Sequence, residues 1–254
     1  EVTAAELHAR YGDADAATAR LPQGGRGALD GVPFLVKDEF DVEGFPTTLG
    51  SRCSPETRAG RDSTIVARLR AAGAVFLGKT VLTEWGMSPI GGNVQQSMPH
   101  NAHDPTRAPG GSSTGSAVGV ALGVCPIACG GDGGGSIRIP AALNGVVGIK
   151  PTFGRVSRAG DGFKGSVAHA GPIAASVWDL ALFLDAVASE HDPLDDLTAW
   201  APPPPDGGFG ARLGAGVRGL RIGVDDEAWA LAEPAVAAAC RSALAALEKD
   251  GAEL

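Results

Sequence analysis

Ser112, Ser136 and Lys37 have the residue types and the neighbourhoods for acyl-transfer chemistry. Ser112 stands in GGSSTGSAVGVALGVCP, from Gly110 to Pro126, and Ser136 in CGGDGGGSIRIPAAL, from Cys129 to Leu143. Serines set so densely among small residues mark turns where a hydroxyl can be reached and backbone N–H groups can face a ligand. Glycine permits that close approach because it has no Cβ and tolerates positive φ. Ser136 follows three glycines and precedes an apolar run. That is the setting of a strand-to-helix turn, whose free N–H groups can stabilise an oxyanion. Lys37 closes VPFLVK, which reads as a buried strand, and burial of a lysine favours the neutral amine able to take a proton. Asp38 and Glu39 oppose this if they face the ammonium. Adjacent side chains on a strand point to opposite faces, which removes Asp38.

The two serine clusters and the lysine segment together resemble the amidase signature family, whose catalytic unit is serine, cis-serine and lysine. The resemblance runs strongly from about Gly31 to Arg158 and weakly beyond. It implies Ser136 as nucleophile, Lys37 as base, and Ser112 as the bridge between them, with the Gly111–Ser112 peptide cis. It also implies an oxyanion hole from the N–H groups of Gly133, Gly134, Gly135 and Ser136. Ser113, Asp132 and Arg138 become supports of the loops, and Thr114 stands where many relatives have glycine. WGMSPIGGN, from Trp85 to Asn93, resembles the family's loop near the scissile group. It makes Met87, Ser88 and Gly91 pocket residues, with core packing as the other reading.

The function the resemblance implies is hydrolysis of a carboxamide C–N bond through an acyl-enzyme, on a small-molecule amide and with no cofactor. A neighbouring reading is the glutaminase-type subunit of an aminoacyl-tRNA amidotransferase, which shares the triad. Readings from other classes are a phosphate cradle in a nucleotide-binding module and a relative that folds without turnover. The cradle lacks the GK[ST] ending of a P-loop and the GxGxxG spacing of a dinucleotide fold. The histidines His8, His100, His103, His169 and His191 are scattered with no plausible Asp and Ser spacing, which leaves a Ser-His-Asp triad as the weaker alternative. His103 and His169 read as local loop contacts.

The elements that must position these residues follow an α/β order. Asp62–Ala72 reads as a helix with an acidic N-cap, ended by Gly73, and AVFLGK as the next strand. Ser113–Val124 reads as a small-residue helix, Pro126–Cys129 as a short buried strand, Ser136–Leu143 and Val177–Ala188 as helices. His191–Gly210 reads as a proline-rich surface loop, LRIGV (Leu220–Val224) as a strand, and EPAVAAACRSALAALEKDG as a helix stopped by Gly251. Such alternation implies a mixed β-sheet covered by helices on both faces. The expected organisation is a single amidase domain over 1–254 with its signature core at about 31–158. ALEKDGAEL repeats the helix–glycine–strand order of LRAAGAVFL. With the usual length of the family, this implies the N-terminal portion of a longer amidase.

Composition sets the outer limits. With 254 residues, 44% hydrophobic and 20% charged, the chain reads as an ordinary globular protein. A formal net charge of −8 argues against nonspecific nucleic-acid binding, which depends on Lys and Arg at phosphates. The apolar stretch SAVGVALGVCPIACG is glycine-broken and shorter than the roughly 20 residues of a membrane span. A cytoplasmic protein is expected, and a homodimer is compatible with the sequence. The chain opens at Glu1 rather than Met, which leaves a removed leader open. Cys53, Cys125, Cys129 and Cys240 have no metal-ligand spacing, no metal is expected, and they read as buried small hydrophobes in a reducing compartment.

Overall fold

The computed structural model describes residues 14, 16–20, 25–54, 57–163, 165–188 and 191–254. The chain forms two compact units, Glu1–Gly210 and Ala211–Leu254.

The first unit is built on a five-stranded mixed sheet. Its strands are β1 (Pro33–Lys37), β2 (Val75–Thr80), β3 (Ile127–Asp132), β4 (Val147–Gly148) and β5 (His169–Ala174), in the spatial order β2-β1-β3-β5-β4. β1 runs parallel to β2 and β3, and β5 runs antiparallel to β3 and β4. Helices cover both faces, as the alternating pattern implies. Against one face lie α1 (Thr64–Ala71) and the later helix α4 (Val177–Val187). Ile65, Val66, Leu69, Leu180, Phe183 and Leu184 pack there on Phe34, Val36 and Phe76. The other face carries α2 (Thr114–Ala121) and α3 (Arg138–Leu143), where Ala117, Val120, Ile137 and Ala141 meet Ala128 and Ile173. Period-two alternation along β1 buries Phe34 and Val36 on the first face and sends Leu35 toward the α2–α3 cluster.

Several boundaries depart from the sequence reading. α1 starts at Thr64 after Ser63 rather than after an acidic cap. α2 ends at Ala121, short of Val124, because Gly123 turns into the left-handed region at φ 73°. β3 does not stop at Cys129: Gly130, Gly131 and Asp132 pair with Gly171, Ala170 and His169 of β5. Cross-strand hydrogen bonds hold those glycines extended, and the strand delivers Asp132 to the site. α3 begins at Arg138, so Ser136 sits in the turn before it. The proline-rich stretch remains irregular apart from two short 3-10 turns at Asp196–Trp200 and Phe209–Arg212.

The second unit holds α5 (Asp226–Ala230) and α6 (Pro234–Lys249). The expected strand at Leu220–Val224 reduces to one parallel bridge, Arg221 with Glu253. A run becomes a strand only by pairing along its length, and here the ladder is a single step. The cysteines also divide: Cys125 and Cys129 are buried, whereas Cys53 and Cys240 are exposed. The expectation of four buried thiols is corrected for the latter pair. Burial pushes the Cys125 thiol up to about 11 and the Cys129 thiol well above its ordinary range. No described helix is long and apolar enough to cross a membrane.

Candidate active site

Lys37 is the last residue of β1, and its side chain is 1% exposed. Its Nζ donates to Ser112 Oγ at 2.8 Å and to the Gly131 carbonyl at 3.3 Å. Ser112 lies in the loop entering α2, and the Gly111–Ser112 peptide is cis, as the resemblance implies. The central strands β1 and β3 therefore aim their C-terminal ends at one loop pair. This is where open α/β sheets commonly bind ligands.

Ser136 and Ser112 line one cavity of about 270 Å³ together with Lys37, Gly133 and Gly134. The Ser136 carbonyl accepts from the Ser113 N–H at 3.1 Å, which ties the two serine loops together. Ser113 Oγ sits between the Gly131 carbonyl and N–H, at 3.2 and 3.3 Å. Thr114 Oγ1 donates to the Gly110 carbonyl at 2.8 Å, so the threonine closes its own loop. Among the described residues the Ser136 hydroxyl makes no hydrogen bond, so the expected direct link to Ser112 is not formed here. Catalytic hydrogen bonds are often loose before substrate binds and tighten in the Michaelis complex.

Asp132 organises the turn around Ser136. It accepts from the N–H groups of Gly135 at 2.7 Å and Ile137 at 3.1 Å, and from Arg138 Nε and Nη2 at 3.0 and 2.9 Å. Burial pushes its carboxyl up, but the Arg138 guanidinium and the backbone donors outweigh this and hold it at about 2. Ser113, Asp132 and Arg138 thus bond within and between the two loops that carry the serines. Gly135 does not fit the expected oxyanion hole: its N–H is taken by Asp132, and it does not line the cavity. The N–H groups of Gly133, Gly134 and Ser136 make no hydrogen bond within the described residues, and all three residues line the cavity.

The Trp85–Asn93 loop divides likewise. Met87 lines the cavity, whereas Ser88 and Gly91 do not. Ser88 exchanges hydrogen bonds with the Thr83 hydroxyl at 3.0 and 3.3 Å. A Cβ at Gly91 would lie 2.6 Å from the Gly110 carbonyl oxygen. Both buttress the Gly110–Ser112 loop instead of facing a substrate. Gly86 faces the site: a Cβ there would lie 3.1 Å from the Phe163 ring and 3.3 Å from Ser112 Oγ.

The cavity also holds residues that the sequence reading did not assign to it: Glu39, Asp161, Phe163, Val167, Ala168 and His169. Glu39 Oε2 lies 2.8 Å from Lys37 Nζ, its side chain 4% exposed. Asp38 and Glu39 lie in the turn that follows β1, where strand alternation no longer applies, and this turn brings Glu39 back to Lys37. Asp38 turns instead to Lys79 at 2.7 Å. Asp161 accepts from Arg158 Nε at 3.1 Å and from the Phe163 N–H at 2.7 Å. Burial, then the nearby Glu39 charge, push its carboxyl up to about 7. His169 contacts the Val167 carbonyl at 2.8 Å and Lys150 Nζ at 3.2 Å. His103 lies outside the cavity and meets the Asn144 carbonyl at 2.8 Å. Among the described residues no group of three or more His, Cys, Asp or Glu could hold a metal ion.

This geometry has close relatives. The chain is 47% identical to a glutamyl-tRNA(Gln) amidotransferase subunit from Salinispora arenicola over 232 residues, covering 90% of this chain and 47% of that protein. Its structure resembles the native peptide amidase of Stenotrophomonas maltophilia, with 37% identity and a TM-score of 0.86 over 100% of this chain and 52% of that one. It also resembles a glutamyl-tRNA(Gln) amidotransferase subunit from Thermotoga maritima, with 36% identity and a TM-score of 0.83 over 88% of this chain and 49% of that one. The chain thus spans about half the length of the curated relatives it matches. The amidase family profile matches residues 2–254, and the chain belongs to the amidase signature family.

Proposed function

We propose that the protein hydrolyses a carboxamide C–N bond through a serine acyl-enzyme. The observation that carries this reading is the 2.8 Å hydrogen bond from the buried Lys37 Nζ to Ser112 Oγ, in the wall of the cavity that Ser136 also lines. In this reading Ser136 Oγ attacks the amide carbonyl and passes its proton through Ser112 to Lys37. The developing oxyanion sits against the N–H groups of Gly133, Gly134 and Ser136. Lys37 returns a proton by the same path to the leaving nitrogen, and water then releases the acyl group. Both compact units lie within the family match over 2–254, which supports reading them as one amidase domain. The cytoplasm is the compartment we assign, with a small-molecule amide as substrate.

The phosphate-cradle alternative fits the site poorly. Three N–H groups of the second glycine cluster are spent on Asp132, and the cavity also carries the carboxyl groups of Glu39 and Asp161. The glutaminase-type subunit remains a second reading, favoured by 43–47% identity to curated amidotransferase subunits. Ammonia release from a panel of simple carboxamides and from glutamine, by the full-length protein alone, separates the two. Turnover of simple carboxamides with Ser136-dependent acylation supports the amidase. Release confined to glutamine supports the amidotransferase reading. No Ser136-dependent release from any of them overturns both.

A further inference from the structure

Lys37 Nζ has three acceptors around it: Ser112 Oγ at 2.8 Å, Glu39 Oε2 at 2.8 Å and the Gly131 carbonyl at 3.3 Å. An ammonium so engaged cannot accept the Ser112 proton until it has given one up. Of the three neighbours only the carboxylate can take up that proton. Glu39 is seated for that task on bare backbone. A Cβ at Gly131 would lie 1.6 Å from Glu39 Oε1, so only glycine leaves room for the side chain against β3.

Resting on the amidase reading above, we propose that Glu39 is the internal proton acceptor and positioning residue for Lys37. One Nζ–H bond of Lys37 breaks and leaves its electron pair on nitrogen, while an O–H bond forms on Glu39 Oε2. The product is a neutral amine facing Ser112 and a neutral carboxyl beside it, with no proton exchanged with solvent. The balance between the charged and the uncharged pair sets how much neutral amine faces Ser112.

Asp161 biases this balance. Its carboxyl lines the same cavity and feels the Glu39 charge. Once Asp161 is ionised, moving the proton onto Glu39 removes a like-charge repulsion. The other titratable groups lining the cavity are engaged: Asp132 with Arg138 at 2.9 Å, and His169 with the Val167 carbonyl at 2.8 Å and Lys150 Nζ at 3.2 Å. Arg158 pairs with Asp161 at 3.1 Å, Lys79 of β2 pairs with Asp38 at 2.7 Å, and Cys129 of β3 is a buried thiol.

The test is the rate at which a fluorophosphonate probe labels Ser136 of the full-length protein as a function of pH. It compares wild type, Glu39→Gln, Glu39→Asp and Asp161→Asn, with thermal melting as the check on folding. Wild type is expected to reach a plateau just above neutral pH. Glu39→Gln keeps the shape but cannot take the proton, so Lys37 must release it to solvent. Its rate should be at least about tenfold lower at pH 7 and climb roughly tenfold per pH unit into the alkaline range. Glu39→Asp should recover part of the wild-type rate and its plateau. Asp161→Asn should be slower than wild type only above neutral pH. A Glu39→Gln profile with the wild-type shape, whether at the wild-type rate or uniformly lower, overturns the proposal. If Glu39→Gln fails to fold, an Asp161→Asn profile identical to wild type overturns it. Labelling that survives in Ser136→Ala defeats the amidase reading itself. Ser136-specific labelling with an unshifted Glu39→Gln profile removes only Glu39.

Discussion

The Arg138 guanidinium holds both carboxylate oxygens of Asp132, with Nε 3.0 Å from Oδ2 and Nη2 2.9 Å from Oδ1, while backbone N–H groups of the following turn bond the same oxygens. This clasp fixes the turn that carries Ser136. Asp132→Ala strands three backbone donors and should destabilise the protein by about 3 kcal/mol, at roughly 1 kcal/mol for each lost bond. The same contacts give a pH dependence with a defined sign. The folded carboxyl sits at about 2, below its unfolded value of 3.8. Its stabilisation is therefore full above about pH 4 and is lost as the pH falls toward 2. Urea midpoints of wild type and Asp132→Ala should converge over that interval.

Ser136→Ala removes the oxygen that forms the acyl-enzyme. Turnover should fall by roughly 10⁴-fold or more, with the melting temperature unchanged within a degree or so. Ser112→Ala should cost less, about 10²–10⁴-fold, because water can replace part of a proton relay. Steady-state rates alongside melting curves decide both, and an unchanged rate in Ser136→Ala ends the proposed mechanism.

Lysine and histidine chemistry separate by substitution. Lys37→Ala should lose activity to the level of Ser136→Ala. His103→Ala, outside the cavity, should keep it. His169→Ala, in the cavity wall, should alter KM more than kcat. Full activity in Lys37→Ala excludes the lysine relay.

Asp161 carries the opposite linkage to Asp132. Its folded carboxyl, at about 7, lies above the unfolded value of 3.8. Between about pH 4 and 7 the folded state keeps a proton that the unfolded state has released, so stability falls across that window and levels off above it. Denaturant midpoints from pH 4 to 8 should show the decline, and Asp161→Asn should flatten it.

The cysteines offer a further check. Iodoacetamide under native conditions should modify Cys53 and leave Cys125 and Cys129 intact, since burial withholds the thiolate. Peptide mapping before and after unfolding reads this out.

Much of the site was legible in the chain itself. Lys37, Ser112, Ser136, Asp132 and Arg138 sit in motifs whose glycine and serine content has few other uses, and the α/β order follows from helical and strand periodicities. Local pattern failed where a long-range partner decided the outcome. Gly130 and Gly131 look like the end of a strand, yet β5 pairs with them and carries β3 on to Asp132. Gly135 looks like its neighbours until Asp132 claims its N–H. Ser88 and Gly91 lie in the right loop, but contacts with Thr83 and Gly110 turn them away from the cavity. Glu39 reaches Lys37 through the local turn after β1, whereas Asp161 stands more than a hundred residues away and only the Arg158–Phe163 loop brings it to the same cavity. Residue type and spacing thus determined which groups could react. Tertiary packing decided which charges they must react beside, because electrostatics in a buried site depends on distance in space rather than along the chain.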